Sequence, residues 1–168
     1  MAWTPPTTAP FLAGHEPTTA ELTAQVTNNF LAIGGAWTAY TPTWTAATTN
    51  PVIGNGTIDG AYAAAGKLIF YRIAIVGGTT TTWGSGAYSF TYPPFTPKDS
   101  GNPGNSGTTG FMYDTSANKP YCLIGIGNSS TTIRMLETSA NSFMSHNYPI
   151  ALPATGDEIT FSGCYEAA

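Results

Sequence analysis

Charge is what this sequence has least of. Of 168 residues, only 8% are Asp, Glu, Lys or Arg, against about 25% in an average soluble domain. Five basic residues stand against nine acidic ones, for a formal net charge of −4. Binding to nucleic acid needs Lys or Arg to displace counterions from phosphates, and five such residues scattered along the chain form no basic patch. Nucleic acid is therefore not an expected partner. Long apolar runs are also missing: none approaches the roughly 20 residues that span a bilayer as a helix, so no membrane insertion is expected. The opening MAWTPPTTAP has neither the basic start nor the continuous apolar stretch of a secretory signal. Synthesis in a cytoplasm is expected, with release by another route such as lysis. Cysteine is scarce. Cys122 and Cys164 alone cannot build a metal site, and no cofactor is expected. Each falls in an apolar, strand-like run (YCLIGI and ITFSGCY), which reads as a buried thiol acting as a small hydrophobe. A disulfide would require their strands to be neighbours, which the sequence leaves open.

The place of the missing charge is taken by Thr, Ser, Asn and Gly, while hydrophobic residues stay at 42%. That combination argues against disorder, since disordered chains are usually charged and poorly apolar. A domain of this size buries roughly 70% of its unfolded surface and folds without metal or disulfide staples. Residues 1–17, rich in Pro, Thr and Ala, read as an extended arm that takes shape on a partner. A helix follows. Thr18 and Glu21 have the spacing of a capping box, and Pro17 suits an extended entry. Leu22, Val26, Phe30 and Ile33 recur at three- or four-residue spacing as one apolar stripe. Gly34 and Gly35 then supply a left-handed C-terminal cap. A helix of about fifteen residues is marginal alone in water, so the stripe needs cover: other copies of the chain, a neighbouring protein, or its own domain. Residues 1–35 are thus expected to attach the protein, and residues 36–168 to form its main domain.

From residue 36 the pattern becomes that of strands, at 37–44, 57–64, 67–76, 87–92, 109–113, 121–126, 131–136 and 158–165. Gly, Asn and Pro clusters punctuate them, as in GNG at 54–56 and DSGNPGNSG at 99–107. The expected fold is all-β: an antiparallel sandwich or jelly-roll-like domain behind the arm and one α-helix. The run LIFYRIAIV at 68–76 is apolar on both sides of its pleat. A single-chain sandwich should be polar outside, so a neighbouring subunit is the expected second cover. Arg72 interrupts one face and is expected to pair with a carboxylate or a backbone carbonyl.

Catalytic constellations do not stand out. His15 and His146 lie in polar contexts, and the many serines would make any Ser–His–acid triple a matter of chance. The carboxylates of Asp59, Asp99, Asp114, Glu137, Asp157, Glu158 and Glu166 show no glycosidase spacing; they read as loop charges or as partners of Arg72 and Arg134. GIGNSS at 125–130 lacks the Lys and helix of a phosphate loop. The chain is expected not to be an enzyme. Carbohydrate recognition pairs an aromatic face with amide or carboxylate groups, and Trp83, Tyr113 and Asp114 are the candidates for it. Packing of Trp83 at a sheet edge or subunit interface is the alternative. Trp37, Tyr40, Trp44, Phe70, Phe90, Phe111 and Phe161 fall in strand patterns and are expected in the core.

The segment at 35–73 resembles a pattern of phage and prophage structural proteins, particularly those of actinobacteria. It is carried by Trp37, Tyr40-Thr-Pro-Thr-Trp44, Asn55-Gly-Thr57, Gly60, Tyr62, Gly66 and Lys67. FTYPP at 90–94 and GDEITFSGCYEAA at 156–168 are similar to later parts of the same domain. AGHEPTTAELTAQVTNNF resembles the short N-terminal helix of these proteins. The family includes minor tail proteins, tail-fibre tips and virion surface fibres, commonly trimeric. What the resemblance implies is an external virion component without catalytic residues. A tail fibre or receptor-binding subunit is expected, homotrimeric, joined to other virion proteins through residues 1–35 and contacting host-surface carbohydrate. A capsid decoration or head-fibre protein without receptor activity is the alternative.

Overall fold

A computed structural model describes residues 16–98, 107–151 and 153–168. The expected arm lies outside the described residues except for its last two, and so do His15 and most of 99–107. The helix forms where its signals place it, in three parts: α1 (Thr19–Leu22), a π-helical turn (Thr23–Thr27) and α2 (Asn28–Ile33). Both halves of the capping box are present. The Thr18 hydroxyl accepts from the Glu21 amide at 3.2 Å, and the Glu21 carboxylate accepts from the Thr18 amide at 2.8 Å. The π turn is invisible to a 3.6-residue period. The expected left-handed cap is absent: Gly34 has φ −92°, and its N–H bonds the Phe30 carbonyl at 2.9 Å. An ordinary fourth-residue bond satisfies that carbonyl, so no left-handed turn is required there.

The strands are β1 (Thr38–Tyr40), β2 (Trp44–Ala46), β3 (Thr57–Ala65), β4 (Leu68–Val76), β5 (Tyr88–Thr91), β6 (Thr109–Asp114), β7 (Lys119–Gly127), β8 (Thr132–Glu137), β9 (Ser142–Phe143) and β10 (Glu158–Glu166). Neighbours pair antiparallel in the order β1-β3-β4-β10-β6-β7-β8-β5-β2, with β9 added on β8. The expected strand 37–44 is really two. Pro42 has no N–H to give a ladder and breaks the run. The consequence reaches the whole fold. β1 and β2 occupy opposite ends of the strand order, yet only Thr41, Pro42 and Thr43 separate them. Those residues reach at most about 14 Å. The sheet must therefore curl until its two ends meet, and the result is the all-β, sandwich-like domain expected from the sequence.

The curl encloses the core. Ile69, Tyr71, Ile73 and Ile75 of β4 point inward with Met112, Leu123, Met135 and Phe161. Phe90 on β5 meets Phe161 on β10 at 5.0 Å between ring centres, joining strands that are not sheet neighbours. Each such side chain contributes roughly 1.5–3 kcal/mol by leaving water.

The opposite parity of β4 is the outer face, and it is uncovered: Leu68 and Phe70 are each 41% exposed. Phe111 on β6, Ile124 on β7 and Phe143 on β9 share this exposure. The expectation of a uniformly buried aromatic set therefore holds for Trp44, Phe90 and Phe161 but not for Trp37, Phe70 and Phe111, while Tyr40 is half-buried. The cysteines need the same correction. Cys122 is exposed and Cys164 partly so, because each has the outward parity of its strand, Cys122 opposite Phe111 and Cys164 opposite Phe70. β6 lies between their strands, a separation of roughly 10 Å that excludes a bond between them. Arg72 also departs from expectation: its guanidinium lies over the Trp37 ring, 5.2 Å from the centroid, and among the described residues it joins no ion pair.

Candidate functional site

Antiparallel register sends the loop after β4 and the turn after β6 to the same end of the domain, since Val76 and Tyr113 both face Glu158. Asp157 ties this end together. Its side chain is 1% exposed, and its two carboxylate oxygens accept from the amides of Thr115 (2.9 Å) and Ala154 (2.7 Å). Its backbone carbonyl accepts from Gly77 N–H at 2.9 Å. Trp83, Tyr113 and Asp114 are all on elements that meet here, but their side chains take different directions. Trp83 is half-buried and turns its indole inward, edge-on to Trp44 at 5.3 Å. Gly77 beneath it has no room for a side chain, since a Cβ would sit 2.5 Å from the indole. Tyr113 has the outward parity of β6, and its hydroxyl donates to the Asn118 side-chain carbonyl. Asp114 is buried and accepts from Ser116 Oγ at 2.7 Å and Ala117 N–H at 2.9 Å. Those hydrogen bonds hold its carboxyl below the usual carboxylate range.

Glu137 performs a similar task in the turn after β8. Its carboxylate, 4% exposed, accepts from the Tyr148 hydroxyl at 2.5 Å and from Ser139 and Ala140 amides. The Tyr148 bond contributes most to lowering its pKa, to about 2. His146 Nδ1 accepts from Gly86 N–H at 3.2 Å. These polar groups hold loops; none stands as a nucleophile beside a base. Among the described residues no group of three or more His, Cys, Asp or Glu is placed to hold a metal ion.

Two other features emerge, only the second of which the sequence had singled out. One is a concavity of about 550 Å³ on the outer face, where Asp59, Arg72 and Thr160 stand around a floor of Ala39, Ala61 and Ala74. Small side chains on three adjacent strands make the depression. Its sequence signals were a lone Arg inside an apolar strand and an alanine-rich partner strand. The other is the helix, whose Leu22 (45% exposed), Val26 and Phe30 (72%) all remain open to solvent. Leu31 joins them at 48%, a residue outside the expected stripe. The π turn lengthens one repeat of the helix and so widens the apolar surface.

Neither a family model nor a curated protein matches the sequence. Among solved structures the likeness found is one of fold alone. The structure that carries this likeness is that of the Dettilon tailspike protein, with a TM-score of 0.52 over 79% of this chain and 12% identity. The chain spans 24% of that protein's length, so the likeness covers one domain-sized part of it.

Proposed function

We propose that the chain is an exposed fibre or receptor-binding subunit of a bacteriophage tail, working as a homotrimer. The β-domain of residues 36–168 would face outward, and residues 1–35 would join it to other virion proteins. The observation that carries this reading is a β-domain similar in fold to part of a tailspike, preceded by a helix whose Leu22, Val26 and Phe30 stand exposed among the described residues. A helix of this length needs cover to persist, and three copies side by side supply it. Host-surface carbohydrate is the proposed receptor, with the loop end that carries the outward-facing Tyr113 as the proposed contact and the inward Trp83 and buried Asp114 as its supports. Binding, rather than bond cleavage, is the proposed role. Weak contacts multiplied by three would give avidity without any single deep pocket.

The test uses the full chain, fluorescently labelled, on host cells and on purified host wall glycan. Saturable adhesion that is lost when oligomers are dissociated supports the proposal. Particle decoration without adhesion favours a capsid decoration role. Release of new reducing ends from the glycan would overturn the non-enzymatic reading.

A further inference from the structure

The outer face of the sheet is continuous. A row of paired residues crosses it from Ala39 on β1 through Ala61, Arg72, Ser162, Thr109, Ile124 and Leu136 to Phe143 on β9. Trp37, Leu68, Phe70, Phe111, Ile124 and Phe143 stand on or beside that row, exposed by 37–47%. With roughly 200 Å² for each large side chain, they leave about 500 Å² of apolar surface in water. Spread from β1 to β9 over a curled sheet, that area is not one patch. Leu68, Phe70, Phe111 and Ile124, on the adjoining strands β4-β10-β6-β7, form its centre, about 300 Å² and within the range of the largest patch on a monomer. The Thr, Ser and charged residues between them carry the face toward the roughly 800 Å² per partner of a stable interface.

The charges on this face indicate what covers it. Asp59 and Glu158 balance Arg72 and Arg134, and among the described residues none of the four joins an ion pair. Arg72 and Arg134 instead lie over the rings of Trp37 and Phe143, at 5.2 and 5.6 Å from the centroids. A partner of one charge sign would meet repulsion from half of them. A face with two unpaired charges of each sign suits the sister chains grouped about a threefold axis, offset so that unlike charges meet. The concavity around Asp59 and Arg72 gives an apolar side chain of a sister chain a place to enter.

We propose that this outer sheet face is the contact on which a second copy of the chain packs, with Phe70, Phe111 and Ile124 at its centre. The proposal rests on the homo-oligomeric reading above and deepens it, adding a sheet contact to the helix. It also accounts for two outward-facing thiols in apolar surroundings: within the assembly they are covered.

Those thiols make the test direct. The full-length protein is treated with a maleimide at a concentration where light scattering shows oligomers, and labelling of Cys122 is followed by mass spectrometry. Labelling at least about tenfold slower than in a dilute, dissociated sample is expected. In parallel, Phe111→Asp should raise the dissociation midpoint about thirtyfold or more, the size of a hot-spot loss. Val52→Asp, at a more exposed apolar position (59% against 39% for Phe111) in the loop before β3, should leave it unchanged. Circular dichroism establishes that each variant folds; if Phe111→Asp does not, the wild-type labelling rate decides. An oligomeric wild type whose Cys122 labels at the free-thiol rate overturns this contact while leaving the oligomer to the helix. A wild type that stays monomeric at every concentration overturns both readings together.

Discussion

Replacing Asp157 with alanine removes the acceptor for two backbone amides, those of Thr115 and Ala154 at 2.9 and 2.7 Å. A hydrogen bond to a charged acceptor contributes about 1.5–3 kcal/mol. Both donors belong to residues near the surface, so water recovers part of that loss. About 2–3 kcal/mol of destabilisation is expected in total, or a fall of roughly 5–10 °C in Tm for a chain of this size. Asp157→Asn keeps one acceptor oxygen and should lose about half as much. The assay is thermal denaturation by circular dichroism, together with hydrogen exchange at Thr115 and Ala154. Exchange at those amides should quicken in both variants, because the turn after β6 and the segment before β10 are no longer pinned. The loop after β4 should loosen less, since Gly77 bonds the backbone carbonyl of residue 157, which the substitution keeps. The reasoning fails if alanine melts within a degree of wild type, or if asparagine is as damaging as alanine.

Three further outcomes follow from other parts of the structure. Glu137 has its pKa lowered from 4.5 to about 2, so its contribution to stability is complete above about pH 4.5 and is lost as pH falls towards 2. Urea midpoints should drop over that window in the wild type and much less in Glu137→Gln. Gly110→Ala should prevent stable folding, because the added Cβ would stand 2.2 Å from the Thr160 carbonyl oxygen in the neighbouring strand β10; soluble yield and dichroism measure it. Phe30→Asp, at a side chain 72% exposed in the single chain, should leave the β-domain's melting intact but lower the oligomer mass measured by light scattering.

Much of the fold was legible because its information is local. Alternation and turn residues marked the long strands, and the Thr18–Glu21 capping box marked the helix start to the residue. What escaped depends on distant partners. Tyr40-Thr-Pro-Thr-Trp44 reads as one strand, yet its halves pair with β3 and β5 at opposite ends of the sheet, and no short window carries that information. In β4, apolar residues on both faces erased the parity signal that separates inside from outside. The same ambiguity sent Phe70, Cys122 and Cys164 to the core on paper and to the surface in the structure. Trp83 illustrates a different gap: a tryptophan in a Gly- and Thr-rich loop resembles a ligand contact, but its surroundings include Trp44 and Gly77, which only folding brings near. Nine Asp and Glu among 168 residues gave few anchors for reading a site, and several of them serve turns.

The molar mass of the intact chain in solution, measured by light scattering at micromolar concentration, bears most directly on whether this domain works alone or in company. Three times the chain mass of 17.5 kDa is the result expected if the apolar helix and the outer sheet face are covered by sister chains. A stable species of 17.5 kDa with those side chains in water would contradict it.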